Sequence, residues 1–130
     1  MENTKILIVD DDVDLTKAMR VTLESQQYIV TTATDKTEGM ATAREEKPDL
    51  IILDVMMDTW QDGFDMAREL KSDPQCKDIP ILMLTGLKDK TGIDVRPAAG
   101  DPNWCPVDGF LDKPAESEVL LAEVKKMLQR

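Results

Sequence analysis

The sequence predicts an α/β domain in which an open parallel sheet carries helices on both faces. Three observations predict it. Uninterrupted apolar runs of four residues recur, Ile6-Leu7-Ile8-Val9, Leu50-Ile51-Ile52-Leu53 and Ile81-Leu82-Met83-Leu84, and such runs read as strands buried on both faces. Each run closes on an acid or a hydroxyl: Asp10-Asp11-Asp12, Asp54 and Thr85, with Lys113-Pro114 following later. Strand and helix patterns then alternate along the chain, as a parallel sheet with crossover helices requires.

The elements follow in order. Asp12 is a good N-cap for a first helix, and Leu15, Ala18, Met19, Thr22 and Leu23 mark one face of it. Residues 28–33, rich in β-branched side chains, read as the second strand. Asp35 and Glu38 have capping-box spacing for a helix running to about Lys47, where Pro48 ends it. The third strand leads to Asp54. A loop containing Trp60 comes next, and Gly63 opens a helix that stops near Asp73-Pro74. Residues 81–85 give the fourth strand, with Pro80 tolerated at its start. Residues 107–111 give a weaker fifth. A closing helix begins at about Glu116, with Leu120, Leu121, Val124 and Leu128 toward the core. The span 1–130 is expected to form one domain, with nothing left over for an output domain.

Composition narrows the function. Apolar residues at 42% and charged residues at 32% suit a soluble globular protein. Only five residues are aromatic, so the core must be aliphatic and methionine-rich. A net charge of −10 argues against a nucleic-acid surface, which depends on clustered Lys and Arg. No apolar run approaches the roughly 20 residues of a membrane span, and the N-terminus lacks a signal-peptide pattern. Cys76 and Cys105 show no metal-ligand spacing and read as reduced thiols, so a cytoplasmic location is expected. The chain contains no histidine. That excludes Ser-His nucleophilic sites, His-ligated zinc and phosphohistidine on this chain, so any phosphohistidine donor must be a partner.

In open parallel sheets, chemistry collects outside the carboxyl ends of the strands. Asp10, Asp11, Asp54, Thr85 and Lys113 are therefore expected to converge. Asp10 and Asp11 are hard oxygen ligands of the kind magnesium takes, with water and phosphate completing its octahedron. Asp12 is assigned to helix capping. Asp54 is either a third ligand or a nucleophile, since carboxylates attack phosphorus to give an aspartyl-phosphate. Crowded carboxylates repel one another and so favour a cation. The Thr85 hydroxyl could hydrogen-bond one phosphoryl oxygen while Lys113 ion-pairs with another. Phosphoryl transfer needs mainly such positioning and charge neutralisation.

With these residues in place, the chain resembles the receiver domain of two-component response regulators, of the single-domain, chemotaxis-regulator-like kind, over nearly its whole length. The matching pieces are Ile6-Leu7-Ile8-Val9-Asp10-Asp11, Leu53-Asp54-Val55-Met56-Met57, Asp62-Gly63-Phe64, Leu84-Thr85-Gly86 and Phe110-Leu111-Asp112-Lys113-Pro114. The resemblance implies a doubly wound, flavodoxin-like sheet of five strands in the order 2-1-3-4-5. It implies that Asp54 is the phosphoacceptor, with Asp11 and Asp54 ligating Mg2+ directly and Asp10 through water. The backbone carbonyl of Met56 would be a further ligand. Thr85 and Phe110 would form a switch pair, Lys113 would hold the phosphoryl group, and the Lys113-Pro114 bond would be cis. The implied donor is a sensor histidine kinase or a histidine phosphotransfer protein. The implied output is a conformational change read by a downstream protein target, without membrane or nucleic-acid binding by this domain. Such a receiver modifies itself rather than turning over a substrate. The resemblance also implies that the positions two after the acceptor and two after the switch threonine influence how water reaches the acyl phosphate. Here they are the apolar Met56 and Leu87, so slow self-dephosphorylation is expected.

The chain also departs from the family's pattern. Asp58 stands where a proline usually follows the two methionines, and the loop from Asp54 to Gly63 is one residue longer and carries Trp60. The stretch from Thr85 to Lys113 is several residues longer than usual. Residues 86–106 hold Gly86, Gly92, Gly100, Pro97, Pro102 and Pro106, and each interior Gly costs a helix about 1 kcal/mol and each Pro about 3 relative to Ala. A long loop is therefore expected in place of the family's fourth helix. Two rival readings remain. Asp10-Asp11-Asp12-Val13 fits the Asp-x-Asp-x-Val opening of haloacid-dehalogenase-type phosphatases, with Asp10 as nucleophile and Asp12 as general acid, but too little chain follows Lys113 for their further acidic motif. A phosphorylation-independent interaction module of the same fold is the other. A calcium loop beginning at Asp10 is excluded, because Leu15 and Val21 stand where glycine and glutamate are needed.

Overall fold

Alternation inside each apolar run decides which helix packs on which face. The computed structural model describes residues 4–54, 60–85, 107–112 and 116–129. Strands β1 (Lys5–Val9), β2 (Ile29–Ala33), β3 (Leu50–Asp54), β4 (Ile81–Thr85) and β5 (Gly109–Asp112) form one sheet in the order β2-β1-β3-β4-β5. All neighbouring pairs are parallel. The described helices are α1 (Val13–Glu24), α2 (Lys36–Glu46), α3 (Trp60–Ser72) and α4 (Ser117–Leu128).

Side chains alternate across a strand, so odd and even positions face opposite layers. Leu7, Val9, Ile51, Leu53, Ile81 and Met83 point to one layer, where Met40 and Ala43 of α2 and Phe64, Met66, Ala67 and Leu70 of α3 meet them. Ile6, Ile8, Leu50, Ile52, Leu82 and Leu84 point to the other, against Met19 and Leu23 of α1 and Leu120, Val124 and Met127 of α4. Each large aliphatic side chain buried this way contributes roughly 1.5–3 kcal/mol before chain entropy is subtracted. The chain moves from β1 outward to β2, then crosses back to place β3 on the other side of β1. The reversal leaves a crevice between the carboxyl ends of β1 and β3, where open α/β sheets bind their ligands.

The caps hold as the sequence predicts. Asp12 Oδ1 accepts the Leu15 N–H at 3.1 Å, and Asp35 Oδ1 accepts the Glu38 N–H at 2.8 Å. Glu38 reaches back one residue further than a standard capping box, its Oε1 accepting the N–H of Thr34. Lys47 closes α2 in the left-handed region, with φ 48°, directly before Pro48.

Several boundaries differ from those the sequence predicts. Trp60 is the first residue of α3, and Gly63 lies buried inside that helix instead of opening it. β5 starts at Gly109, two residues later than expected, although the Asp108 N–H already bonds the Ile81 carbonyl as a lead-in. Tyr28 is buried but precedes β2. In α1, Ala18 faces solvent and Thr16 takes the inward position, its hydroxyl donating to the Asp12 carbonyl at 2.8 Å. Leu121 and Leu128 are only half-buried against the core. Cys76 is a buried free thiol, while Cys105 lies outside the described residues. So does residues 86–106, the segment expected to replace a helix by a loop.

Candidate functional site

The site is built where β1 and β3 end. The β1–β3 ladder pairs Val9 with Leu53, so the next residues on each strand, Asp10 and Asp54, emerge side by side. Asp10 is still tied into the sheet, its N–H donating to the Ala33 carbonyl at 3.0 Å. Its Oδ1 accepts the Asp12 N–H at 2.9 Å, a tight side-chain turn that swings the chain out of the sheet and starts α1. Asp11 is therefore held between a buried anchor and a helix cap, with its carboxylate exposed. Asp10 and Asp54 are buried, at 0% and 2% exposure.

One carboxylate oxygen from each of Asp10, Asp11 and Asp54 comes within 4.8 Å of the others. Like charges at that distance repel by about 3 kcal/mol per pair at an effective dielectric near 20. Two of the three acids are also cut off from bulk water, which increases the cost of their charge. A divalent cation relieves both effects. The donor set is all oxygen and partly exposed on one side, which fits magnesium and its retained waters better than a soft metal wanting nitrogen or sulfur.

The remaining candidates are placed to different extents. Thr85 is the last residue of β4, one beyond Leu84, which pairs with Asp54. Its backbone therefore stands at the same end of the sheet as the acids. Phe110 lies in β5 opposite Met83, and Asp112 pairs with Thr85. Lys113 follows Asp112 in sequence but lies outside the described residues, as do Met56 and Leu87. Asp12 caps α1, as assigned. The sequence reading missed the second duty of Asp10, which shapes the β1–α1 turn as well as lining the site. An aspartate two residues before the N–H it accepts is a recognisable signal for such a turn.

Residues 6–125 match the response regulator receiver domain, and the chain belongs to that family. Accepting a phosphoryl group is the family's standard function, and receivers interact with histidine kinases. Among curated relatives, it is 38% identical to the DNA-binding dual master transcriptional regulator RpaA of Synechocystis sp., over 97% of this chain and 49% of that one. It is 34% identical to the response regulator PleD of Caulobacter vibrioides, over 96% of this chain and 26% of that one. The chain thus spans about half the length of RpaA and a quarter of PleD. Among solved structures, the chemotaxis response regulator CheY4 of Vibrio cholerae superposes with a TM-score of 0.78 at 31% identity, covering 96% of this chain and 98% of that one. The receiver domain of a signal transduction histidine kinase from Syntrophus aciditrophicus gives 0.81 at 32% identity, covering 97% and 90%. No described helix is long and apolar enough to cross a membrane.

Proposed function

We propose that Asp54 is the phosphoacceptor of this receiver, that Asp10, Asp11 and Asp54 hold Mg2+ beside it, and that Thr85 and Lys113 take the phosphoryl oxygens. The observation that carries the reading is the meeting of three carboxylates within 4.8 Å at the β1–β3 crevice. Asp11 and Asp54 would ligate directly, Asp10 through water, and the Met56 carbonyl would complete the protein's share. Magnesium, when bound, supplies positive charge that offsets both the acids and the incoming phosphoryl oxygens.

The chain's own residues do the rest. A carboxylate oxygen of Asp54 attacks phosphorus and forms the new P–O bond. With a phosphohistidine donor the P–N bond breaks, its electron pair stays on the imidazole, and the imidazole takes up a proton. With acetyl phosphate the P–O bond to the acetyl group breaks and acetate leaves. Anchoring of Asp54 in the sheet fixes its direction of attack, and its burial limits water at the acyl phosphate. The donor is a sensor histidine kinase or a histidine phosphotransfer protein, since this chain has no histidine. Residues 1–130 would act as one receiver domain, without turnover of a substrate and without nucleic-acid contact of its own, in the cytoplasm, passing a conformational change through Thr85 and Phe110 to a protein target.

Incubation with magnesium and acetyl phosphate tests this against its rivals. One added phosphate, lost in Asp54→Asn, is the expected outcome. Continuous phosphate release abolished by Asp10→Asn but not by Asp54→Asn would mean the phosphatase chemistry, and no labelling at all would mean a passive interaction module.

A further inference from the structure

At the amino end of the sheet, opposite the acids, one ammonium joins three elements. Lys71, in the last turn of α3, donates from Nζ to the Ile79 carbonyl at 3.0 Å and to Asp108 Oδ2 at 2.9 Å. The same Asp108 oxygen accepts the Ile81 N–H at 2.9 Å, while the Asp108 N–H donates to the Ile81 carbonyl at 3.0 Å. Lys71 is half-buried and Asp108 exposed, with their side chains at 23% and 33% exposure. We infer that Lys71 and Asp108 are positioning residues for the phosphoryl chemistry, acting through β5 on Lys113.

The reason lies in β5. Among the described residues it is an edge strand of four residues, paired only with β4, and it opens on Gly109, a poor strand former. Asp108 supplies what the strand lacks, since its backbone and side chain grip Ile81 from both sides and Lys71 holds the carboxylate. From that anchor the register runs Leu82 with Gly109, Met83 with Phe110, Leu84 with Leu111 and Thr85 with Asp112, the residue before Lys113 in sequence. A slip of one residue would displace Lys113 by about 3.3 Å along the strand and turn its neighbours to the opposite face. Such a displacement is enough to remove an ion pair with a phosphoryl group. A contact at the far end of the sheet thus sets the register of the strand that leads into Lys113.

The inference rests on the reading that Lys113 binds the phosphoryl group, and a double-mutant cycle separates the two. The rate of labelling by acetyl phosphate is measured well below each variant's melting temperature, with magnesium affinity measured in parallel. Lys71→Met should slow labelling by about tenfold and leave magnesium affinity unchanged, because the three acids lie at the carboxyl ends of β1 and β3 and not on β5. In a Lys113→Ala background, Lys71→Met should add little further loss. Asp108→Asn keeps an acceptor for Ile81 and provides a milder variant should Lys71→Met fold poorly; it should slow labelling in the same direction. A Lys71→Met protein that melts earlier yet labels at the parental rate would overturn the inference, as would losses that multiply in the Lys113→Ala background. If Lys113→Ala alone labels normally, the assigned role of Lys113 fails first and the positioning role goes with it.

Discussion

Asp10 and Asp11 are neighbours in sequence but serve different ends. Asp10 is buried and shared between the β1–α1 turn and the site, whereas Asp11 is exposed and free to meet a cation from the solvent side. Neutralising Asp11 should therefore do two opposite things. Asp11→Asn removes repulsion from Asp10 and Asp54, so the metal-free protein should melt higher, while the rise in melting temperature caused by millimolar magnesium should shrink. Calorimetry with and without magnesium reads both, and a melting temperature indifferent to magnesium in the parent would count against the site. The apolar Met56 and Leu87 lead to a second expectation: neither can orient water by hydrogen bonding, so the acyl phosphate should be long-lived. Introducing Met56→Asn and Leu87→Glu together should speed phosphate release, and equal release rates would dispose of that role.

Between elements, close packing and one ion pair give sharper tests. Gly39 lies in α2 where an added Cβ would sit 2.8 Å from Met66 Cε and 3.0 and 3.1 Å from the two γ-carbons of Val9. The methionine end can move, but Val9 is held in β1. Although alanine favours helices, Gly39→Ala should cost about 1–2 kcal/mol in urea unfolding, because overpacking outweighs propensity. Arg44 on α2 bonds Asp73 just beyond α3 at 2.7 Å. That guanidinium, helped by the Gln75 N–H, holds the Asp73 carboxyl below the usual carboxylate range. A lowered folded pKa stabilises the fold above the unfolded value, near about 3.9, and the effect is lost as pH falls through the folded value. Asp73→Asn should therefore be less stable than the parent at pH 7, with the gap closing as pH falls below the usual carboxylate range. A gap unchanged by pH would assign the loss to packing. The strands were legible because parallel strands buried on both faces read as unbroken apolar runs. The start of α3 was not, because Gly63 looks like punctuation while its burial inside the helix depends on partners far away in sequence.

Across the whole molecule, topology turns scattered residues into a site. Asp10 and Asp54 are separated by 43 intervening residues, yet the crossing from β2 back to β3 sets them side by side, as the order of apolar runs predicted. Nothing in the sequence signalled that Lys71 would meet Asp108, since an ion pair 37 residues apart leaves no periodic trace. The central claim is that the buried carboxylate ending β3, and not either acid after β1, receives the phosphoryl group. Acyl phosphates are reduced by borohydride to the alcohol, which converts a phosphorylated aspartate to homoserine. After treatment with magnesium, acetyl phosphate and then borohydride, peptide mass mapping should find homoserine at position 54 and aspartate retained at 10 and 11. Homoserine at position 10 or 11, or none anywhere, would contradict the account.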